Sequence, residues 1–233
     1  MASSSNVPGI VGVLYVYLAV AFTLMMTVFH HSTLRKKHGD YRACLLYFAA
    51  FFSLFLAVPL VIIGLAAPGP AGFLAAVGLR AGRASRGVLL TAVAVPIVLL
   101  MSSLASRDPV MKEQYPFSKE ACAGLKKFVV YEACYFVLYY LPWEFLFRGL
   151  LFFPLAQAAG LVPALALQTA MSTVYHLGHP DSEVFAALAA GFIFGLIAYA
   201  TGSILYPLVI HALAGIANDS FLYHRHHRRA RAA

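Results

Sequence analysis

CLLYFAAFFSLFLAVPLVIIGLA, residues 44–66, contains no charged side chain. A helix of about 20 residues crosses the hydrocarbon core of a bilayer, and an apolar run of this length is read as such a span. Gly9 to Phe29 and Gly87 to Leu104 repeat the pattern. Over the 233 residues, 61% are hydrophobic and 11% charged, a balance that excludes an ordinary water-soluble domain. The expected fold is an all-α polytopic membrane protein, a bundle of about seven or eight transmembrane helices in a single domain, 1–223, followed by a basic cytoplasmic tail, 224–233.

Working outward, helices are expected at 9–29, 44–66, 87–104, 121–141, 143–158, 162–177, 183–200 and 204–223. The first has no basic residue before it and is too long for the core of a cleaved signal peptide, so it is read as a retained helix. Pro142 either kinks one long helix or separates two, because proline removes a backbone donor and crowds the preceding turn. An N-terminus outside and a basic tail inside require an odd number of crossings, and seven fits. The polar loop from Ala105 to Lys127 is expected to face water with a short amphipathic helix. The ending HRHHRRARAA is expected to be disordered.

The formal net charge is +8. Its basic residues cluster beside apolar segments: Arg35, Lys36, Lys37 and Arg42; Arg80, Arg83 and Arg86; Arg225, Arg228, Arg229 and Arg231. That pattern indicates cytoplasmic loops and a tail lying on anionic lipid rather than a nucleic-acid partner. The middle cluster strains the topology. It follows the second span across Pro68-Gly69-Pro70 and falls on the outer side unless 71–79 form a short re-entrant or interfacial piece. Cys44, Cys122 and Cys134 are odd in number and indicate no disulfide framework.

Glu132 and Glu144 are carboxylates inside apolar segments, where an ionisable group costs a few kcal/mol and is usually turned inward, paired and functional. Glu144 and Arg148, four residues apart in PWEFLFRGLL (142–151), share a helix face, as a site or as a clamp between helices. His176 and His211 bring imidazoles into the hydrophobic region from two further helices. A carboxylate can take a proton from water while imidazoles position that water and stabilise a peptide oxyanion. The same residue types suit zinc, so a metal mechanism stays open.

W-E-F-L-F-R-G, followed by a histidine about thirty residues on and another about thirty-five beyond, resembles the CAAX protease and bacteriocin-processing family, also called the Abi family, intramembrane glutamic endopeptidases of multi-helix fold. The resemblance extends from Phe128 to Asp219, with the catalytic core at about 121–223. Against the family motifs EExxxR, FxxxH and HxxxN/D, this chain has Trp143 for the first glutamate, Ser172 for the phenylalanine and Gly215 for the asparagine. Asn218, seven residues after His211, returns to nearly the same helix face.

The resemblance implies hydrolysis of a peptide bond in a membrane-associated protein or peptide, with no cofactor, in a multi-pass cell-membrane protein of the bacterial inner-membrane kind. Glu144 with His176 would activate water, Arg148 would hold Glu144, and His211 with Asn218 would stabilise the oxyanion. Glu183 is the substitute base if Glu144 is not; its other reading is a first-turn carboxylate behind an Asp181 or Ser182 N-cap. The rival readings are a non-catalytic scaffold that binds a partner or lipid, and a proton-coupled transporter.

Overall fold

The computed structural model describes residues 7–232, and the side chains of 9–228. Ten α-helices and one 3₁₀ segment make up the regular structure of the described residues. They are α1 (Val7–Met26), α2 (His31–His38), α3 (Asp40–Ala66), α4 (Pro70–Ala76), α5 (Ala84–Ala105), α6 (Pro109–Gln114), the 3₁₀ segment Lys119–Ala123, α7 (Leu125–Ala159), α8 (Leu161–Val174), α9 (Asp181–Thr201) and α10 (Leu205–Ala232). Six of these are long and apolar enough to cross a membrane: α1, α3, α5, α7, α9 and α10. The chain is a multi-pass membrane protein. With the shorter apolar α8 running antiparallel to α9, the chain traverses the bundle seven times.

Of the two alternatives at Pro142 the single long helix is the one found, for α7 runs from Leu125 to Ala159, and the separate helices 121–141 and 143–158 are corrected. Proline is tolerated because the turn before it is widened: Phe136–Tyr140 is π-helical, and the Leu141 N–H reaches the Phe136 carbonyl five residues back. A second π-helical stretch, Phe145–Leu151, follows directly. The chain ending is helical to Ala232 rather than disordered, because its start packs: Tyr223 stacks on Phe128 with ring centroids 4.5 Å apart, and His227 Nε2 lies 3.0 Å from the Cys122 carbonyl. Ala233 and the side chains of Arg229 and Arg231 lie outside the described residues.

In lipid, helices gain little from leaving water, so close packing and buried polar contacts must hold them together. Phe48 and Phe51 of α3 pack on Tyr135, Tyr139 and Trp143 of α7, and α1 adds Leu14, Leu18 and Met25. On the opposite side α9 presents Gly191 and Gly195 to α8. A Cβ at Gly191 would stand 2.7 Å from Thr169 Cγ2, so only glycine permits this approach. Gln168 exploits it, donating to the Gly191 carbonyl at 2.8 Å.

The expected short piece between the second and third spans is α4. It leads the chain to Gly78, whose carbonyl accepts from the Ile204 N–H at 2.9 Å. Arg80, Arg83 and Arg86 therefore lie where α3, α7 and α9 end and α5 and α10 begin, at the end of the bundle opposite α2 and its basic residues.

Candidate active site

Glu144, at the end of the α-helical turn between the two π-helical stretches of α7, and Arg148, within the second, are 0% and 2% exposed. Arg148 Nε stands 3.3 Å from Glu144 Oε2, an ion pair without good hydrogen-bond alignment. The other carboxylate oxygen, Oε1, is 2.7 Å from Nδ1 of His211, in the second turn of α10. One glutamate thus ties together two helices and a cation, consistent with the rule that intramembrane charges are paired.

Beside this pair lies a cavity of about 490 Å³ between α5, α7, α9 and α10, capped by the segments around Tyr115 and His179. His176, His211, Glu183 and Asn218 all line it, together with Trp143, Tyr140 and Asp219. Glu144 does not: His211 stands between it and the open space. The seven-residue spacing does place Asn218 with His211 on the cavity side of α10, as the helical period requires.

His176 falls in the turn after α8 rather than within it. Its Nδ1 is 2.8 Å from the Ser172 carbonyl. A carbonyl only accepts, so Nδ1 carries the proton and Nε2 is left with a lone pair. Burial pushes the His176 imidazole down to about 4, against the opposing charge of Glu183, and so keeps it neutral.

Glu183 is in the first turn of α9, but the N-cap is Pro180, not Asp181 or Ser182, and no side chain caps the helix. Its carboxylate is engaged elsewhere. Oε1 accepts from the Tyr115 hydroxyl at 2.5 Å and lies 2.9 Å from His179 Nδ1, while Oε2 has no hydrogen-bond partner among the described residues. Burial and the neighbouring Glu183 charge raise the Tyr115 phenol well above its usual value, so it remains a donor.

Trp143 occupies the space between the two histidines, its ring centroid 5.2 Å from that of His176 and 5.9 Å from that of His211. A carboxylate at this position would face both imidazoles; indole supplies packing in its place. Gly215 has an equally local cause. A Cβ there would overlap the Tyr140 hydroxyl, so no asparagine fits.

Two lining residues, Tyr115 and Asp219, carried no assignment in the sequence, and His179 read as a loop residue. Tyr115 and His179 lie in polar connections that look solvent-facing, and only the tertiary fold lays them over the cavity. Asp219 carried a readable signal, a carboxylate in the otherwise apolar ALAGIANDSFLY; it is 1% exposed and accepts from the Tyr131 hydroxyl at 3.3 Å. Glu132 does not join Glu144. It is buried near the start of α7, twelve residues and a π turn away. No three His, Cys, Asp or Glu side chains converge as a metal-ligand set among the described residues.

Helices long enough to span a bilayer, a paired glutamate and arginine inside them, and two histidines on one cavity define a polytopic membrane protein with a candidate hydrolytic centre. Residues 126–217 match the family model described as type II CAAX prenyl endopeptidase Rce1-like. The match bears out the family resemblance carried by W-E-F-L-F-R-G and the two histidines, and it supports a CAAX-type intramembrane protease. It includes Glu144, Arg148, His176, Glu183 and His211 and stops one residue short of Asn218. Comparisons with curated proteins and with solved structures give no match.

Proposed function

We propose that this chain is a glutamate-dependent intramembrane endopeptidase that cuts a membrane-associated protein or peptide without a cofactor. The observation that carries the reading is the convergence of His176, His211, Glu183 and Asn218 on one cavity, with the carboxylate of Glu144 held behind His211.

In this reading Glu183 is the general base. Its Oε1 is fixed by Tyr115 and His179, and its unpartnered Oε2 is the carboxylate oxygen able to accept a proton from water. The lone pair on His176 Nε2 accepts from the same water and orients it. Water oxygen bonds to the peptide carbonyl carbon, its proton passes to Glu183, and the Asn218 amide donates to the oxyanion. As the tetrahedral intermediate collapses, the C–N bond breaks and Glu183 returns the proton to the leaving amine. Glu144, with Oε1 on His211 and Oε2 in the ion pair with Arg148, is a positioning residue that fixes the His211 tautomer, with Nδ1–H toward the carboxylate.

The family description favours prenylated CAAX substrates; bacteriocin leader peptides and C-terminal sorting tails are the other candidate classes. The test is cleavage of fluorogenic peptides of each class by purified protein reconstituted in liposomes. Wild type should cut at least one. The Glu183→Gln variant should lose about 100-fold or more, the usual contribution of a general base. Failure of wild type on all three classes would overturn the endopeptidase reading, and full activity of Glu183→Gln would overturn the choice of base.

A further inference from the structure

The Arg80, Arg83 and Arg86 cluster contributes nothing to the active site and sits at the end of the bundle remote from it. The opposite end carries α2 with Arg35, Lys36 and Lys37, the basic connection between α5 and α7, and the arginines of the C-terminal turns. By the excess of lysine and arginine, that opposite end is the cytoplasmic one. The three arginines are thus an exception to the charge bias of the chain, on the face where cations are normally few.

They are also without acidic partners. The nine carboxylates of the chain are Asp40, Asp108, Glu113, Glu120, Glu132, Glu144, Asp181, Glu183 and Asp219, and none lies in the segments that form this end. What the guanidinium groups do contact is the C-terminus of α9. Arg80 Nε donates to the Gly202 carbonyl at 3.0 Å, while Arg83 and Arg86 each donate one Nη1–H to the Ala200 carbonyl, at 3.0 and 3.1 Å. Carbonyls at a helix end attract cations, and these bonds explain how the side chains are held. They use one nitrogen of each group. An arginine has five N–H donors in a planar fork suited to phosphate oxygens, so most of the donor capacity of the cluster is left over.

That surplus faces a cavity of about 630 Å³, lined by Arg80, Arg83, Gln157, Phe153 and Tyr199 with the backbone of Gly82 and Gly202. Its lining combines two chemistries, the guanidinium groups of Arg80 and Arg83 with the Gln157 amide, and the aromatic rings of Phe153 and Tyr199. On the first turns of α5, which begins at this end of the bundle, Val88 and Leu89 are 63% and 64% exposed, a surface for acyl chains. Guanidinium groups held at the level where spanning helices end, together with aromatic rings and exposed aliphatic side chains at the same end, match a phosphate joined to glycerol and acyl tails.

We propose that this cavity binds the phosphate of an anionic lipid headgroup, with Arg80 and Arg83 as its ligands, Gln157 as a further donor, and Phe153 and Tyr199 against the glycerol and upper acyl chain. Occupancy neutralises the uncompensated charge and braces the junction of α5, α9 and α10. The same phosphate chemistry is offered by inorganic phosphate, which lacks the chains that the aromatic wall contacts.

The test is the thermal unfolding of the full chain in a neutral detergent, with added phosphatidylglycerol, phosphatidylcholine or inorganic phosphate. Phosphatidylglycerol should raise the melting temperature by about 5 °C, the scale expected when a ligand is present far above its Kd, and phosphatidylcholine should have no comparable effect. Arg80→Gln combined with Arg83→Gln should abolish the increment. Because these substitutions also touch the end of α9, Gln157→Glu is the companion variant. It leaves every arginine–carbonyl bond in place, puts a carboxylate in the cavity, and should equally abolish the increment. An increment retained in Gln157→Glu, an equal one from phosphatidylcholine, or an equal one from inorganic phosphate would each overturn the lipid site.

Discussion

His211 Nδ1 and Glu144 Oε1 are 2.7 Å apart, although 67 residues separate them in the chain. This contact joins α7 to α10 at the depth of the cavity. It makes Glu144 the fixed partner of an imidazole and leaves the cavity side of that imidazole free. The first prediction follows from the burial of the pair. Glu144→Gln leaves the Arg148 guanidinium without its countercharge in a site 2% exposed, and should lower stability by about 3–5 kcal/mol. Adding Arg148→Met should restore much of that stability, while activity stays low in both because an amide, which can donate as well as accept, replaces the carboxylate that fixes the His211 tautomer. Thermal melts of the two variants, set against their cleavage rates, check the separation.

The second prediction contrasts Glu183 with Glu144. Glu183→Gln keeps the shape of the side chain and removes no countercharge from a buried arginine. Its melting temperature should stay near wild type while the cleavage rate falls by about 100-fold or more. A parallel collapse of stability and rate would show Glu183 to be a structural residue.

Tyr115 donates to the Glu183 oxygen at 2.5 Å, and burial with the adjacent carboxylate keeps its phenol protonated well past its usual range. Tyr115→Phe should therefore reduce the rate by about 10-fold, a loss on the scale of one hydrogen bond to a charged group. The ratio of wild type to Tyr115→Phe should stay constant between pH 6 and about 10, where the wild-type hydroxyl does not titrate. A ratio that narrows toward the alkaline end would place the ionisation of Tyr115 in that window and contradict the prediction.

Gly215 faces the Tyr140 hydroxyl so closely that no Cβ fits. Gly215→Ala should destabilise by about 1–3 kcal/mol, the usual cost of overpacking a filled interior. Removing the obstacle in Gly215→Ala with Tyr140→Phe should recover part of that loss. Chemical denaturation of the single and double variants measures the coupling; simple additivity would exclude a direct clash.

Removing metal tests the absence of a cofactor. Dialysis against EDTA or 1,10-phenanthroline should leave the cleavage rate unchanged, whereas a loss restored by zinc would require a metal mechanism at the histidines.

The helices and the pairing of Glu144 with Arg148 were legible in the sequence because both are local. An uncharged run such as 44–66 has one stable form in a bilayer, and residues four apart on a helix meet whatever surrounds them. The placement of His211 and Asn218 on one face followed from the helical period in the same way. What neighbours provide was not legible. The π turns that carry Pro142 through α7 depend on packing against α3 and α10. Trp143 between the histidines, Tyr115 over Glu183 and Tyr140 against Gly215 are contacts across long stretches of chain. Composition and periodicity thus determined a membrane helix bundle and the Glu144–Arg148 pair. Only the tertiary structure decided which carboxylate faces the cavity, since that depends on the helices that close around it.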